Sequence, residues 1–130
     1  MKKLLAFLLL TFSTYSHAVT WICNSSIPPN FKLSKLELVR AYSGQPVLIG
    51  STWLVVYTLP SSNLETIQAM SELGLSPEVV EKLAYKQGLS DRGIRITNSS
   101  SEMISKLNSS QPSAGFVFFF IGAPNVSKCF

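Results

Sequence analysis

The chain has 130 residues, 46% of them hydrophobic and 14% charged, too apolar for a disordered segment and too short for two ordinary domains. Lys2 and Lys3 are two of the eleven basic residues, so beyond residue 18 nine basic side chains stand against seven acidic ones. That surplus supplies no electrostatic drive toward nucleic acid or another strongly acidic partner.

The chain opens with Lys2-Lys3, the apolar run Leu4 to Leu10 and a polar stretch from Thr11 to His17, with Ser16 and Ala18 as small residues at a cleavage position. This is the layout of a secretory signal peptide, and the run is shorter than the roughly 20 apolar residues that span a bilayer. Residues 1–18 are therefore expected to be removed, and residues 19–130 to form one globular domain without a stable membrane span. The short two-lysine start has a bacterial style, so the expected location is periplasmic or secreted. In an oxidising compartment Cys23 and Cys129 are expected to pair, joining the two ends of the domain. Trp21 is expected to pack on that disulfide.

Trp21 to Asn30, with Asn24-Ser25-Ser26 and Pro28-Pro29, reads as an irregular lead-in. Phe31, Leu33, Leu36 and Leu38 alternate with a slip of phase at Ser34-Lys35, which predicts a bulged strand. After the turn at Gly44-Gln45-Pro46, the β-branched and aromatic run Val47 to Leu59 predicts a long strand, hairpinned with the first, and Trp53 is expected in the core. Ser62-x-x-Glu65 then has the form of a capping box opening a helix whose apolar face is Leu64, Ile67, Met70 and Leu73, stopped by Gly74. Ser76-Pro77 opens a second helix with Val79, Val80, Leu83 and Ala84, ending at Gly88. Gly93 to Thr97 predicts a short strand, Ser99-x-x-Glu102 caps a third helix with Met103, Ile104 and Leu107, and Phe116 to Ile121 predicts a strand buried on both faces. The clusters Ser99-Ser100-Ser101 and Ser109-Ser110 read as caps and loops. The expected class is α+β: a small mixed sheet of about four strands, from an N-terminal hairpin and a C-terminal strand-helix-strand, with three short helices including an αα-hairpin.

Beyond residue 18 there is no histidine, which removes Ser-His-Asp and Cys-His catalysis and the usual zinc ligand sets. No C-x-x-C, G-x-G-x-x-G, Walker loop or Ser-x-x-Lys occurs. No catalytic, cofactor-binding or metal-ligating residue is therefore assigned, and no cofactor is expected. A carboxylate-only hydrolase needs just two acidic side chains; Glu78 and Glu81 are the nearest pair, three apart on a predicted helix and read as its solvated face. Glu72 to Val80 resembles the turn of a helix-turn-helix motif, but the acidic second helix and the export signal point to an ordinary αα-hairpin and no nucleic acid. Asn24, Asn98, Asn108 and Asn125 stand in N-x-S sequences, read as loop chemistry.

The function expected from this elimination is an exported bacterial protein without catalytic machinery: a protein-binding module of the inhibitor, immunity or assembly-accessory type. Its partner would be a protein of the cell envelope or extracellular space, with Tyr42, Tyr57, Tyr85, Trp21 and Trp53 as possible anchors. The alternatives are a small-molecule or cell-wall ligand binder and, third, the carboxylate hydrolase. A large exposed apolar patch favours the first, a cavity of several hundred Å³ with convergent polar groups the second, and two carboxylates facing one another across a cleft the third.

Overall fold

The computed structural model describes residues 18–28, 31, 33–88, 93–108 and 111–130; residues 1–17, all of the expected leader but Ala18, and Ser109-Ser110 lie outside that range. The fold is α+β. Strands β1 (Thr20–Asn24), β4 (Val55–Thr58), β5 (Gly93–Ile96), β6 (Ser113–Val117) and β7 (Val126–Lys128) make a mixed sheet in the order β5-β4-β6-β1-β7, while β2 (Leu48–Ile49) and β3 (Thr52–Trp53) form a separate two-stranded ribbon. Helix α1 spans Lys35–Tyr42, α2 Leu64–Leu73, α3 Pro77–Gln87 and α4 Ser100–Leu107.

The expected lead-in contains a strand. β1 pairs antiparallel with β6 (Ile22 opposite Gly115, Cys23 opposite Ala114) and with β7 (Ile22 opposite Lys128, Cys23 opposite Ser127). Asn24 closes its lower end: it is buried, its amide donates to the Gln111 carbonyl, and its Oδ1 accepts from the Ser113 N–H at 3.1 Å. The Cys23–Cys129 disulfide forms as expected, joining Cα atoms 5.1 Å apart across 106 residues of sequence.

The bulged strand predicted around Phe31 to Leu38 is instead the start of helix α1. Ser34 caps it: its N–H donates to Glu37 Oε2 at 2.7 Å, and its hydroxyl hydrogen-bonds the same oxygen. These bonds, the hydroxyl's first, hold the Glu37 carboxyl below its ordinary pKa. Leu38, Ala41 and Tyr42 share the buried face at spacings of three and four, a helical period that outweighs the alternation upstream. The predicted hairpin is accordingly absent. The long strand from Val47 to Leu59 is broken by a two-residue turn at Gly50-Ser51, Gly50 having φ 65°, as such turns favour. Trp53, expected in the core, is only partly buried in the ribbon.

Helices α2, α3 and α4 form as the spacing predicts, with one change of cap and two of face, one in α2 and one in α3, where Val79 of the predicted apolar stripe is exposed. Asn63, not Ser62, caps α2, its Oδ1 accepting from the Glu65 N–H at 2.9 Å. Thr66, Ala69, Met70 and Leu73 are buried, whereas Leu64 and Ile67 are exposed. Ser76 with Pro77 opens α3, and Ser99 opens α4. β4 pairs in parallel with both β5 and β6, so the C-terminal strand-helix-strand steps across β4 and its two strands are not neighbours.

Alternation along β6 divides the core in two. Phe116 points to one face, where its ring lies 5.6 Å from Trp21 and 6.2 Å from Tyr42 of α1. Trp21 thus packs on Tyr42 and Phe116, an edge and tilted cluster of the kind aromatic rings prefer. Gly115 points to the other face, where a Cβ would lie 2.6 Å from Met103 Sδ on α4, so any larger residue there would have to displace the Met103 side chain.

The apolar run Phe116 to Ile121 does not form one buried strand. β6 ends at Val117, at the upper end of β1, and β7 begins at Val126, at its lower end. Residues 118–125 must therefore return along β1 as a strap, on the α4 side, where Asn125 Nδ2 donates to Asn108 Oδ1 at 3.0 Å. Phe118, Phe120 and Ala123 pack toward the core; Phe119 and Ile121 face outward.

The disulfide joins β1 to the residue following β7 and closes most of the chain, so replacing Cys23 and Cys129 together by alanine should lower unfolding free energy by about 2–5 kcal/mol. Urea denaturation of the two proteins measures this; an unchanged midpoint would show that β1 and β7 hold the ends without it.

Candidate functional site

Two surface features stand out, at opposite edges of the molecule's chemistry: one polar and concave, one apolar and protruding. The concave one is a cleft of about 450 Å³ running along the outer edge of β5 between α3 and α4. Tyr57, Tyr85, Arg95, Thr97, Glu102 and Lys106 supply its polar groups. The volume lies within the range of small-ligand sites. Tyr57 and Arg95 are register partners across the parallel β4–β5 pair, which places the phenol and the guanidinium on one face.

Much of this lining is already engaged. Arg95 donates to the Gly88 carbonyl at 3.2 Å. Glu102 Oε2 accepts from the Asn98 N–H at 3.0 Å, while its own N–H donates to Ser99; its carboxylate is part of the α4 cap. Gln87 covers the start of the edge strand, its Oε1 accepting from the Ile94 N–H at 3.2 Å and its Nε2 donating to the Gly44 carbonyl at 3.3 Å. A side chain so placed blunts an edge that a foreign strand could otherwise extend.

The protruding feature is the strap. Phe119 is 79% exposed and Ile121 fully so. The Phe118 N–H donates to Glu65 Oε2 at 2.6 Å, and the Ser100 hydroxyl donates to Glu65 Oε1 at 2.7 Å. Glu65 thereby fixes the start of the strap against the first turns of α2 and α4. Its neighbour Leu64, 72% exposed, brings a further apolar side chain to this end of the sheet.

The residues singled out by sequence are dispersed. Glu81 accepts from the Ser61 N–H and hydroxyl at 3.2 and 3.1 Å, and Glu78 accepts from the Ser76 hydroxyl at 3.1 Å. Each carboxylate thus serves a local cap or loop contact. Of the five aromatic anchors, Trp21, Tyr42 and Tyr57 are buried, Trp53 is partly buried in the ribbon, and Tyr85 is exposed. Of the N-x-S asparagines, Asn24 is buried and committed to β6. Sequence reasoning missed Phe119 and Ile121 because they sit in a continuous apolar run read as a buried strand, and Leu64 because helical spacing puts it on one face with Met70 and Leu73.

Among the described residues no group of three or more His, Cys, Asp or Glu is placed to hold a metal, and no helix is long and apolar enough to cross a membrane. No protein-family model matches the chain, and no match was found among curated proteins or solved structures.

Burial pushes the Tyr42 phenol well above the ordinary tyrosine pKa of 10.0; burial also raises that of Tyr57, with Arg95 pulling the other way. The folded state thus keeps protons that the unfolded chain releases, so stability is held below pH ~10 and falls as pH rises through the raised values. Alkaline denaturation followed by tyrosine absorbance should show this fall, reduced in Tyr42→Phe. That variant also loses the 2.6 Å bond from the Tyr42 hydroxyl to the Tyr57 carbonyl, at a cost of about 1 kcal/mol at neutral pH.

Proposed function

We propose that this chain is an exported protein-binding module, of the inhibitor, immunity or assembly-accessory type, acting on a protein of the bacterial envelope or extracellular space. The observation that carries the reading is the strap, which presents Phe119 and Ile121 to solvent while Phe118 and Phe120 anchor it. Large apolar side chains held outward on a backbone fixed from behind are what an interface anchor requires, because little ordering entropy remains to be lost on binding. The disulfide is compatible with an oxidising location, and the leader-like first 18 residues supply the route.

The cleft favours a second reading, a binder of a small anionic ligand or cell-wall fragment. Arg95 and Lys106 both line it, against the single carboxylate of Glu102, which already serves as a cap.

The test uses the exported, disulfide-intact protein to capture partners from an envelope extract, alongside a Phe119→Ser/Ile121→Ser double variant and a Lys106→Gln variant. The proposal expects one protein in stoichiometric amount, bound at least about 10-fold more weakly by the strap variant and unaltered with Lys106→Gln. Equal capture by wild type and strap variant would overturn it. A small molecule that accompanies the wild-type protein in native mass spectrometry, and is lost from Lys106→Gln, would establish the second reading instead.

A further inference from the structure

The backbone nitrogen of Val19 lies 2.8 Å from Glu72 Oε2, and that carboxylate also accepts from Gln68 Nε2 at 3.3 Å. Glu72 and Glu65 stand seven apart, two turns along one face of α2. Glu65 takes the N–H of Phe118 just past the end of β6, and Glu72 takes the nitrogen of Val19 just before β1. Val19 is buried at 8% exposure, whereas Ala18 before it is exposed. The boundary between surface and core thus falls on the Ala18–Val19 peptide bond, which is also the cleavage position read from the leader.

We infer that Glu72 is the receptor for a new amino terminus: removal of the leader after Ala18 turns the Val19 nitrogen into an ammonium that pairs with the Glu72 carboxylate. This rests on the export reading. Hydrolysis by an endopeptidase of the export route consumes one water, leaves a carboxylate on Ala18 and releases a primary amine on Val19, which is protonated at neutral pH. The bond is already charge-assisted through its carboxylate acceptor; processing adds a full positive charge on the donor at the same atom, so an amide–carboxylate bond becomes an ion pair with a hydrogen bond inside it. Processing therefore tightens the fold at its first residue, with Gln68 holding the receiving carboxylate in place.

The full chain, with its leader, is expressed in an exporting bacterium and the exported product is analysed by intact mass and amino-terminal sequencing. Its melting temperature is then compared with that of a chain carrying one glycine inserted between Ala18 and Val19, in the wild-type and Glu72→Gln backgrounds. The inserted residue keeps an amide at Val19 and moves the ammonium away; the neutral glutamine keeps the acceptor and removes the charge. The expected product begins at Val19, and the insertion lowers its melting temperature by about 2–4 °C in the wild type but not in E72Q. A product that begins elsewhere overturns the export reading and the inference with it. A product that begins at Val19 but loses equally in both backgrounds overturns the inference alone.

Discussion

Ile22 and Cys23 in β1 are each held in register on two sides, by Gly115 and Ala114 of β6 and by Lys128 and Ser127 of β7. This double pairing places the start of the described chain inside the sheet and makes the last strand its edge. Such pairing of distant segments is the expensive kind, because the intervening chain must be ordered before the contact forms. The disulfide offsets part of that cost by restricting the unfolded chain, and it lies where the two segments already meet. Once β1 is seated, Trp21 has a site against Tyr42 and Phe116, Ile22 is fully buried, and Asn24 fixes the start of β6.

Above the sheet, two carboxylates on one face of α2 complete the frame. Glu65 and Glu72 take backbone nitrogens from the segments flanking the β6–β1 pair, so the helix is attached to the sheet by directional bonds as well as by the burial of Ala69 and Met70. Charged acceptors are stronger than neutral ones at these positions. The strap begins where Glu65 holds Phe118, which is why Phe119 and Ile121 can be presented without being absorbed into the core. The position of the proposed interface is thus a consequence of how the sheet is closed.

The parts of this fold governed by local signals could be read in the chain. Ser76-Pro77, Ser99-x-x-Glu102, Gly74 and Gly88 marked helix ends by capping chemistry, and the disulfide followed from an even pair of cysteines read together with an export leader. Other features depended on non-local contacts. Trp21-Ile22-Cys23 is too short a run to distinguish from a loop until its two partner strands are known. Ser34-x-x-Glu37 carried a capping signal that the alternation of Phe31 and Leu33 obscured. Apolar content alone could not separate Phe116, inside the sheet, from Phe119 outside it, since the turn after Val117 is imposed by the need to reach the lower end of β1. The strap was illegible for the same reason, and so was the cleft, because Tyr57, Arg95 and Lys106 meet only after β4 and β5 pair and α4 passes beside them.

Amide hydrogen exchange of the oxidised protein at Ile22 and Cys23 tests most directly the claim that β1 is the centre on which the fold closes. Both amides should exchange only with global unfolding, in the slowest class together with those of Phe116 and Val117. Exchange at Ile22 and Cys23 as fast as at the exposed chain end near Phe130 would show that β1 is a peripheral strand, and would contradict the account.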